Sequence, residues 1–143
     1  MNKPKIVVLC GSSKFVDIMA VVAWLIEREE KAIAMGLHLL PFWYRSPGGE
    51  LPEHHLAEHE GCQAEMDELH RRKIDLCDEI FVVNYDDYVG ESTRKELLYA
   101  ASTGKAVRYY LDDPIGRQVD ALLASNAIKE IERLAGTTYD PTT

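Results

Sequence analysis

The carboxylate best placed to do chemistry is Glu96. Residues 90–97 read Gly-Glu-Ser-Thr-Arg-Lys-Glu-Leu and follow an apolar run through a turn-rich stretch. This pattern predicts that a helix begins here, after Gly90, and that its N-terminus could bind a ligand together with the helix that follows the first strand. Glu96 either faces a ligand or closes a capping box with Thr93, and the residues alone leave both interpretations open.

A second candidate site is the segment Cys10-Gly11-Ser12-Ser13-Lys14, a turn of small residues between a predicted strand and a predicted helix. Its backbone N–H groups, two hydroxyls and one ammonium group could hold a phosphate. The segment is not a Walker motif and lacks the G-x-G-x-x-G spacing. The alternative is an ordinary tight turn in which Ser12 or Ser13 caps the helix.

Aromatic side chains follow the second predicted strand as Phe42, Trp43 and Tyr44. Aromatic rings at the carboxyl end of a strand can stack on a planar nucleobase. They are equally typical of a core or an interface between subunits. The sequence therefore gives a candidate base pocket with an open alternative.

Histidines are concentrated between residues 54 and 70, where His55 and His59 have the i, i+4 spacing of a helical metal site. The H-E-x-x-H arrangement is absent, and a solvated polar segment is the preferred interpretation. We therefore predict no metal and no cofactor.

The elements that position these residues alternate along the chain. Apolar runs predict strands at 6–10, 37–42, 80–83 and 106–111, and helical patterns lie at 14–35, 61–76, 92–103 and 118–134. This order predicts one α/β domain over residues 1–143, with a small parallel sheet, helices on both faces and a frayed tail after 136.

The predicted topology also indicates where a ligand binds. In parallel α/β sheets, ligands bind beyond the carboxyl ends of the strands. Three segments meet that condition, and they are residues 11–14, the loop after Leu40 and residues 85–96. The candidate phosphate, base and carboxylate residues all fall in them.

Composition and charge limit the classes of binding partner and the cellular compartment that we expect for this chain. The net charge of −8 argues against a duplex nucleic-acid partner. Three widely spaced cysteines favour a reducing compartment, and the apolar run Ile18–Ile26 is shorter than the ~18 residues of a membrane span. We expect a soluble cytoplasmic protein, and the nearly all-apolar helix around Val21–Ile26 suggests self-association.

Three segments together resemble a known family. They are Cys-Gly-Ser-Ser-Lys-Phe at 10–15, His-Arg-Arg-Lys-Ile-Asp-Leu-Cys-Asp-Glu-Ile-Phe-Val-Val-Asn at 70–84, and residues 90–97. In order and in position relative to the strands, they are similar to the nucleoside 2-deoxyribosyltransferase-like family. The nearest resemblance is to its short bacterial and phage members and to the nucleoside 5′-monophosphate N-glycosidases, over about residues 5–110.

The resemblance implies a Rossmann-like three-layer fold with five strands, a homodimer or higher oligomer, and a glutamate that attacks the anomeric carbon. Glu96 matches that nucleophile. Gly11, Ser12 and Ser92 match the positions that hold the 5′-phosphate, and Lys14 or Arg94 would add positive charge.

The chain departs from the family pattern at two positions. His70 stands in the register of the aspartate that serves the leaving base, and Val8 stands where members often carry a tyrosine. A histidine can exchange protons near neutral pH, so His70 or Asp75 is the candidate to assist the base.

The expected activity is cleavage of the N-glycosidic bond of a nucleotide or nucleoside, by hydrolysis or base transfer. Two alternatives belong to other classes. One is a non-catalytic sensor of a phosphorylated nucleotide or sugar, and the other is a metal-dependent enzyme that uses the histidine-rich segment.

Overall fold

The sheet is parallel throughout, as the alternation of elements predicts. The computed structural model describes residues 2–38, 40, 43–44 and 61–136. In these residues four strands lie in the order β2-β1-β3-β4. Their bounds are Ile6–Cys10 for β1, Ile33–Met35 for β2, Glu79–Val82 for β3 and Ala106–Tyr109 for β4. The register places Val8 between Met35 and Ile80.

Helices cover both faces of this sheet. The described helices are α1 (Val16–Glu30), α2 (Gln63–Leu76), α3 (Glu91–Ser102) and α4 (Pro114–Ala135). One core packs α1 and α4 against alternate residues of β1 and β3, and the second packs α2 and α3 against the other face. Both faces are covered, which agrees with the continuous apolar residues of β1 and with the apolar run that follows Glu79 in β3. The result is an α/β three-layer sandwich consistent with a Rossmann-like fold.

The predicted first helix is too long. Residues 13–15 form a 3₁₀ turn, α1 ends at Glu30, and Lys31 adopts the left-handed conformation with φ of 57°. The helix was predicted to extend to Met35 because Ile33 and Met35 continue the apolar pattern of the helix. No glycine or proline marks its end at Lys31. Gly36 contacts Leu9 and does not cap a helix.

The second strand was also predicted in the wrong place. Ile33 pairs with Ile6 as the edge strand β2, and the predicted strand at 37–42 is not observed at Leu37, His38 or Leu40. The other predicted strands and helices are found within a few residues. The fourth helix begins at Pro114, because Asp113 caps it by accepting a hydrogen bond from the Ile115 backbone N–H at 3.0 Å.

None of the described helices combines the length and the apolar composition that crossing a bilayer requires. The predicted frayed tail after 136 lies outside the described residues.

Arg108 joins four elements through one guanidinium group. It donates to Glu30 at the end of α1, to Glu79 at the start of β3 and to Asp113 at the N-cap of α4, at 2.8–3.1 Å. The side chains of Glu79 and Asp113 are 11% and 12% exposed. Burial raises the pKa of Asp113, but its hydrogen bonds from Arg108 and Ile115 outweigh burial and leave that pKa lowered.

We expect Arg108→Met to reduce the free energy of unfolding by about 2–3 kcal/mol, because it removes the guanidinium group that pairs with the largely buried Asp113 and Glu79 and leaves Glu79 with the exposed Lys5 at 3.6 Å. Urea denaturation measures this. Arg133→Met is the matched control, because Arg133 pairs with Glu130 on the exposed surface of α4, and it should change little. Equal losses in both variants would contradict a special role for Arg108.

Candidate active site

Three side chains that are distant in sequence meet at the carboxyl end of β1. Cys10 is the last residue of β1, His70 lies in the middle of α2 and Glu96 lies in the second turn of α3. His70 Nε2 lies 3.5 Å from Cys10 Sγ and 3.5 Å from Glu96 Oε2. The fold therefore places a thiol, an imidazole and a carboxyl group in mutual contact, and we call them the Cys10–His70–Glu96 cluster.

Helical periodicity explains how these side chains converge. Ile74 and Ala100 are buried in the core between the sheet and the helices α2 and α3. His70 precedes Ile74 by four residues, and Glu96 precedes Ala100 by four. Residues four apart share a helix face, so His70 and Glu96 face the sheet in the same way.

The capping-box interpretation of Glu96 is wrong. Gly90 is the N-cap of α3 and no side chain caps that end, while Thr93 is buried at 3% exposure. Glu96 is the sixth helical residue, too far from the N-cap to bond it. Its carboxyl group instead faces Cys10 and His70.

Burial disfavours ionisation of the Glu96 carboxyl group. Its side chain is 13% exposed, and burial is the main cause that raises its pKa to about 7. The hydrogen bond from the Cys10 thiol and the charge of Arg71 lower this pKa, whereas the charge of Asp67 raises it. At neutral pH the acid and the carboxylate therefore coexist.

His70 is neutral at physiological pH. Burial, with a smaller contribution from Lys73, lowers its pKa to about 4. Its buried Nδ1 has no hydrogen-bond partner among the described residues. Burial, followed by the Glu96 carboxylate, raises the pKa of Cys10 well above its usual value. His70 and Cys10 are thus uncharged neighbours of Glu96.

The segment after β1 forms a capped turn. Ser12 Oγ accepts a hydrogen bond from the Lys14 N–H at 3.3 Å, so Ser12 caps the 3₁₀ turn that begins at Ser13. Lys14 Nζ lies 3.2 Å from the ring centroid of Tyr88. Gly11 is buried where an added Cβ would lie 3.2 Å from Val83 Cβ, so this position leaves almost no room for a side chain.

The other predicted phosphate-binding residues lie at the start of α3. Gly90 is its N-cap, and Ser92 and Arg94 are exposed in its first turns. This helix end follows β3, the strand next to β1. The two predicted phosphate segments therefore follow neighbouring strands at one edge of the sheet.

The predicted base pocket is only partly described. Phe42 lies outside the described residues, Trp43 is 67% exposed and Tyr44 is partly buried. A different aromatic group follows β1 and β3, where the Phe15 ring makes edge contacts with Tyr85 at 5.6 Å and with Tyr88 at 6.0 Å. These three aromatic residues closely follow the two central strands, and that position in the sequence is the signal that could have identified them.

Asp75 does not belong to the described cluster. Its carboxylate accepts a hydrogen bond from the Tyr99 hydroxyl and pairs with Arg72, so it joins α2 to α3 near the surface. Asp67, one turn before His70, is the acidic side chain whose charge acts on Glu96. The influence of Asp67 and Cys10 on Glu96 was not predicted from the sequence.

The described residues contain one group of metal-binding side chains, the Cys10–His70–Glu96 cluster, whose ligand atoms lie within 4.8 Å of one another. His54, His55 and His59, the residues of the predicted alternative, lie outside the described residues.

Comparisons with known proteins assign no family. No protein-family model matches the chain, and no significant match is found among curated proteins or solved structures. Function is therefore argued from the geometry and chemistry of the site.

Proposed function

We propose that this chain cleaves the N-glycosidic bond of a nucleotide or nucleoside, preferably a 5′-monophosphate, by hydrolysis or base transfer. The observation that carries this proposal is the Glu96 carboxyl group, largely buried beside Cys10 and His70 at the carboxyl end of β1. Chromatographic detection of free base after incubation with nucleoside 5′-monophosphates and nucleosides tests it.

The reaction requires a group that meets positive charge at the sugar. As the bond from C1′ to the base nitrogen breaks, its electron pair leaves with the base and C1′ becomes electron-poor. A Glu96 carboxylate oxygen bonds C1′, and water or an acceptor base then displaces it. A largely dehydrated carboxylate is well suited to this step, because its charge is weakly screened.

We assign His70 a positioning role in this reaction. A neutral imidazole in contact with Glu96 can fix the carboxylate, but it carries no acidic proton for the leaving base near pH 7. Asp67 lies one turn before His70 and its charge acts on Glu96, so we propose that its carboxylate accepts a hydrogen bond from the base and orients it. Asp75, already bonded to Tyr99, would act only by supporting α2.

The phosphate and the base have separate candidate contacts. The N-terminus of α3, with Gly90, Ser92 and Arg94, offers N–H groups, a hydroxyl and a cation to an anion. Gly11, Ser12, Ser13 and Lys14 would border the same phosphate. Phe15 and Tyr88 add aromatic surface for a base, beside the predicted Phe42, Trp43 and Tyr44.

The rate of base release should rise with pH through about 7 and level off above it, because the nucleophile is the ionised form of Glu96. The measurement is kcat/KM from pH 5 to 9 in buffers containing a chelator. The groups that act on Glu96 are Cys10, His70, Arg71 and Asp67. Asp67→Asn should move the midpoint of the profile to lower pH, because it removes the negative charge that raises the pKa of Glu96. A profile with no inflection in this range would contradict the assignment of Glu96.

Non-catalytic binding is the second candidate function. Val8 is fully buried and stands where members of the family that this chain resembles often carry a tyrosine that orients the glutamate. Glu96 therefore lacks that contact from β1. A sensor would show ligand-induced thermal stabilisation in the wild type without any release of base.

We also propose a reducing, cytoplasmic setting and self-association. The cysteines Cys10, Cys62 and Cys77 are all free thiols. Trp24 on α1 is 60% exposed, and an apolar groove between α1 and α4 is lined by Ile18, Val21 and Leu122. Analytical ultracentrifugation tests whether copies associate through these apolar surfaces.

A further inference from the structure

The Cys10–His70–Glu96 cluster offers the three ligand types that zinc prefers. Thiolate sulfur, imidazole nitrogen and carboxylate oxygen all bind Zn²⁺, and zinc sites with three protein ligands keep a fourth position open to water or substrate. The cluster combines one of each, from β1, α2 and α3. Three ligands of different chemical type therefore converge on one point from three elements of the fold.

The distances also fit a zinc ion. With bonds of about 2.3 Å to sulfur and about 2.0–2.1 Å to nitrogen and oxygen, tetrahedral ligand atoms lie about 3.3–3.6 Å apart. His70 Nε2 is 3.5 Å from both Cys10 Sγ and Glu96 Oε2. All three atoms fall within 4.8 Å of one another, so small side-chain rotations suffice to close the site.

Of the three side chains in the cluster, that of Glu96 is the most exposed. Cys10 is 0% exposed and His70 is 3% exposed, whereas the Glu96 side chain is 13% exposed. An ion would enter beside Glu96 and keep its fourth position on that side. None of the described residues offers His70 Nδ1 the acceptor that commonly supports a metal-bound histidine, which favours reversible binding over permanent binding.

We propose that Zn²⁺ binds reversibly to Cys10 Sγ, His70 Nε2 and Glu96 Oε2, and that it inhibits the chain by occupying the nucleophile. On binding, the Cys10 thiol proton is released to solvent and sulfur bonds the metal. Inhibition rests on the proposed function, whereas binding does not.

The test begins with Co²⁺ as a spectroscopic substitute for zinc. Wild-type protein should bind one Co²⁺ per chain with a near-ultraviolet sulfur-to-cobalt absorption band, and ZnCl₂ should displace it. Cys10→Ser should lose the band and weaken zinc affinity, measured by calorimetry, on the order of 100-fold or more. Cys77→Ser is the matched control, because Cys77 is another buried thiol of the same core, and it should behave as the wild type.

A second variant separates the cluster from the histidine-rich segment. His54→Ala, His55→Ala and His59→Ala combined should retain both the band and the affinity. Loss of binding in this triple variant, or a wild-type cobalt complex without the sulfur band, would overturn the proposal. The wild-type spectrum decides even where Cys10→Ser fails to fold.

Activity gives an independent readout. If base is released, zinc should inhibit it, and a chelator should restore the rate. Zinc binding without any base release would leave the metal site standing and count against the glycosidase. Base release unaffected by saturating bound zinc would refute the inhibitory role.

Discussion

Replacing Glu96 with glutamine should lower the release of free base from nucleoside 5′-monophosphates by about 10³-fold or more. Glutamine keeps the size and the hydrogen-bonding ability of the side chain, but its amide cannot bond C1′ or stabilise positive charge there. Because Glu96 already sits in a largely buried position, its polar replacement fits the same space. Chromatographic assay of wild type and variant at pH 8 makes the comparison.

The control for this experiment lies on the same helix. Glu91→Gln removes an exposed carboxylate from the first turn of α3, which pairs with Lys95 at 3.6 Å. This variant should retain the wild-type rate within a few-fold. A Glu96→Gln protein that is folded and still releases base at a rate close to that of wild type would exclude Glu96 as the nucleophile.

Gly116→Ala should reduce the free energy of unfolding by about 3 kcal/mol or more, the second large effect that we expect. Gly116 is buried in the first turn of α4, and a Cβ there would clash with the Tyr110 carbonyl oxygen. The clash is with backbone, so relieving it must shift α4 or the turn before it. Urea denaturation followed by circular dichroism measures the loss.

Helix propensity alone predicts the opposite sign for this substitution. Alanine is favoured over glycine within a helix by about 1 kcal/mol. Ser125→Ala, at an exposed position of α4, isolates that preference and should stabilise the protein slightly. A gain in stability for both variants would show that α4 can move away from Tyr110 at little cost.

The fold was largely readable from the sequence, because β1 and β3 are buried on both faces and their apolar runs are uninterrupted. The error lay at Lys31, which ends α1 in a left-handed conformation that a lysine rarely adopts. Without a glycine or proline as a signal, Ile33–Met35 continued the helical pattern. A three-residue edge strand carries too little pattern to correct it.

The site was readable only in part. Glu96 and His70 could be named because their segments flank a central strand and resemble a family pattern. Their contact with Cys10 could not be predicted, since Cys10 and His70 are 60 residues apart and meet through the packing of α2 on β1. The neutrality of His70 depends on burial, which spacing along the chain does not reveal.

The burial of Glu96 also has a consequence for folding stability. A carboxyl group with a pKa of about 7 in the folded protein and 4.5 when unfolded favours the folded state below pH 4.5, and this contribution is lost as the pH rises to 7. At about 1.36 kcal/mol for each pH unit, the loss is about 3 kcal/mol. Where Glu96 is ionised and ready to react, the protein therefore gives up this contribution to its resistance to unfolding. His70 acts in the opposite direction, because its pKa is lowered from 6.5 to about 4 and its contribution is lost as the pH falls, so the two pH dependences offset each other between about pH 4.5 and 6.5.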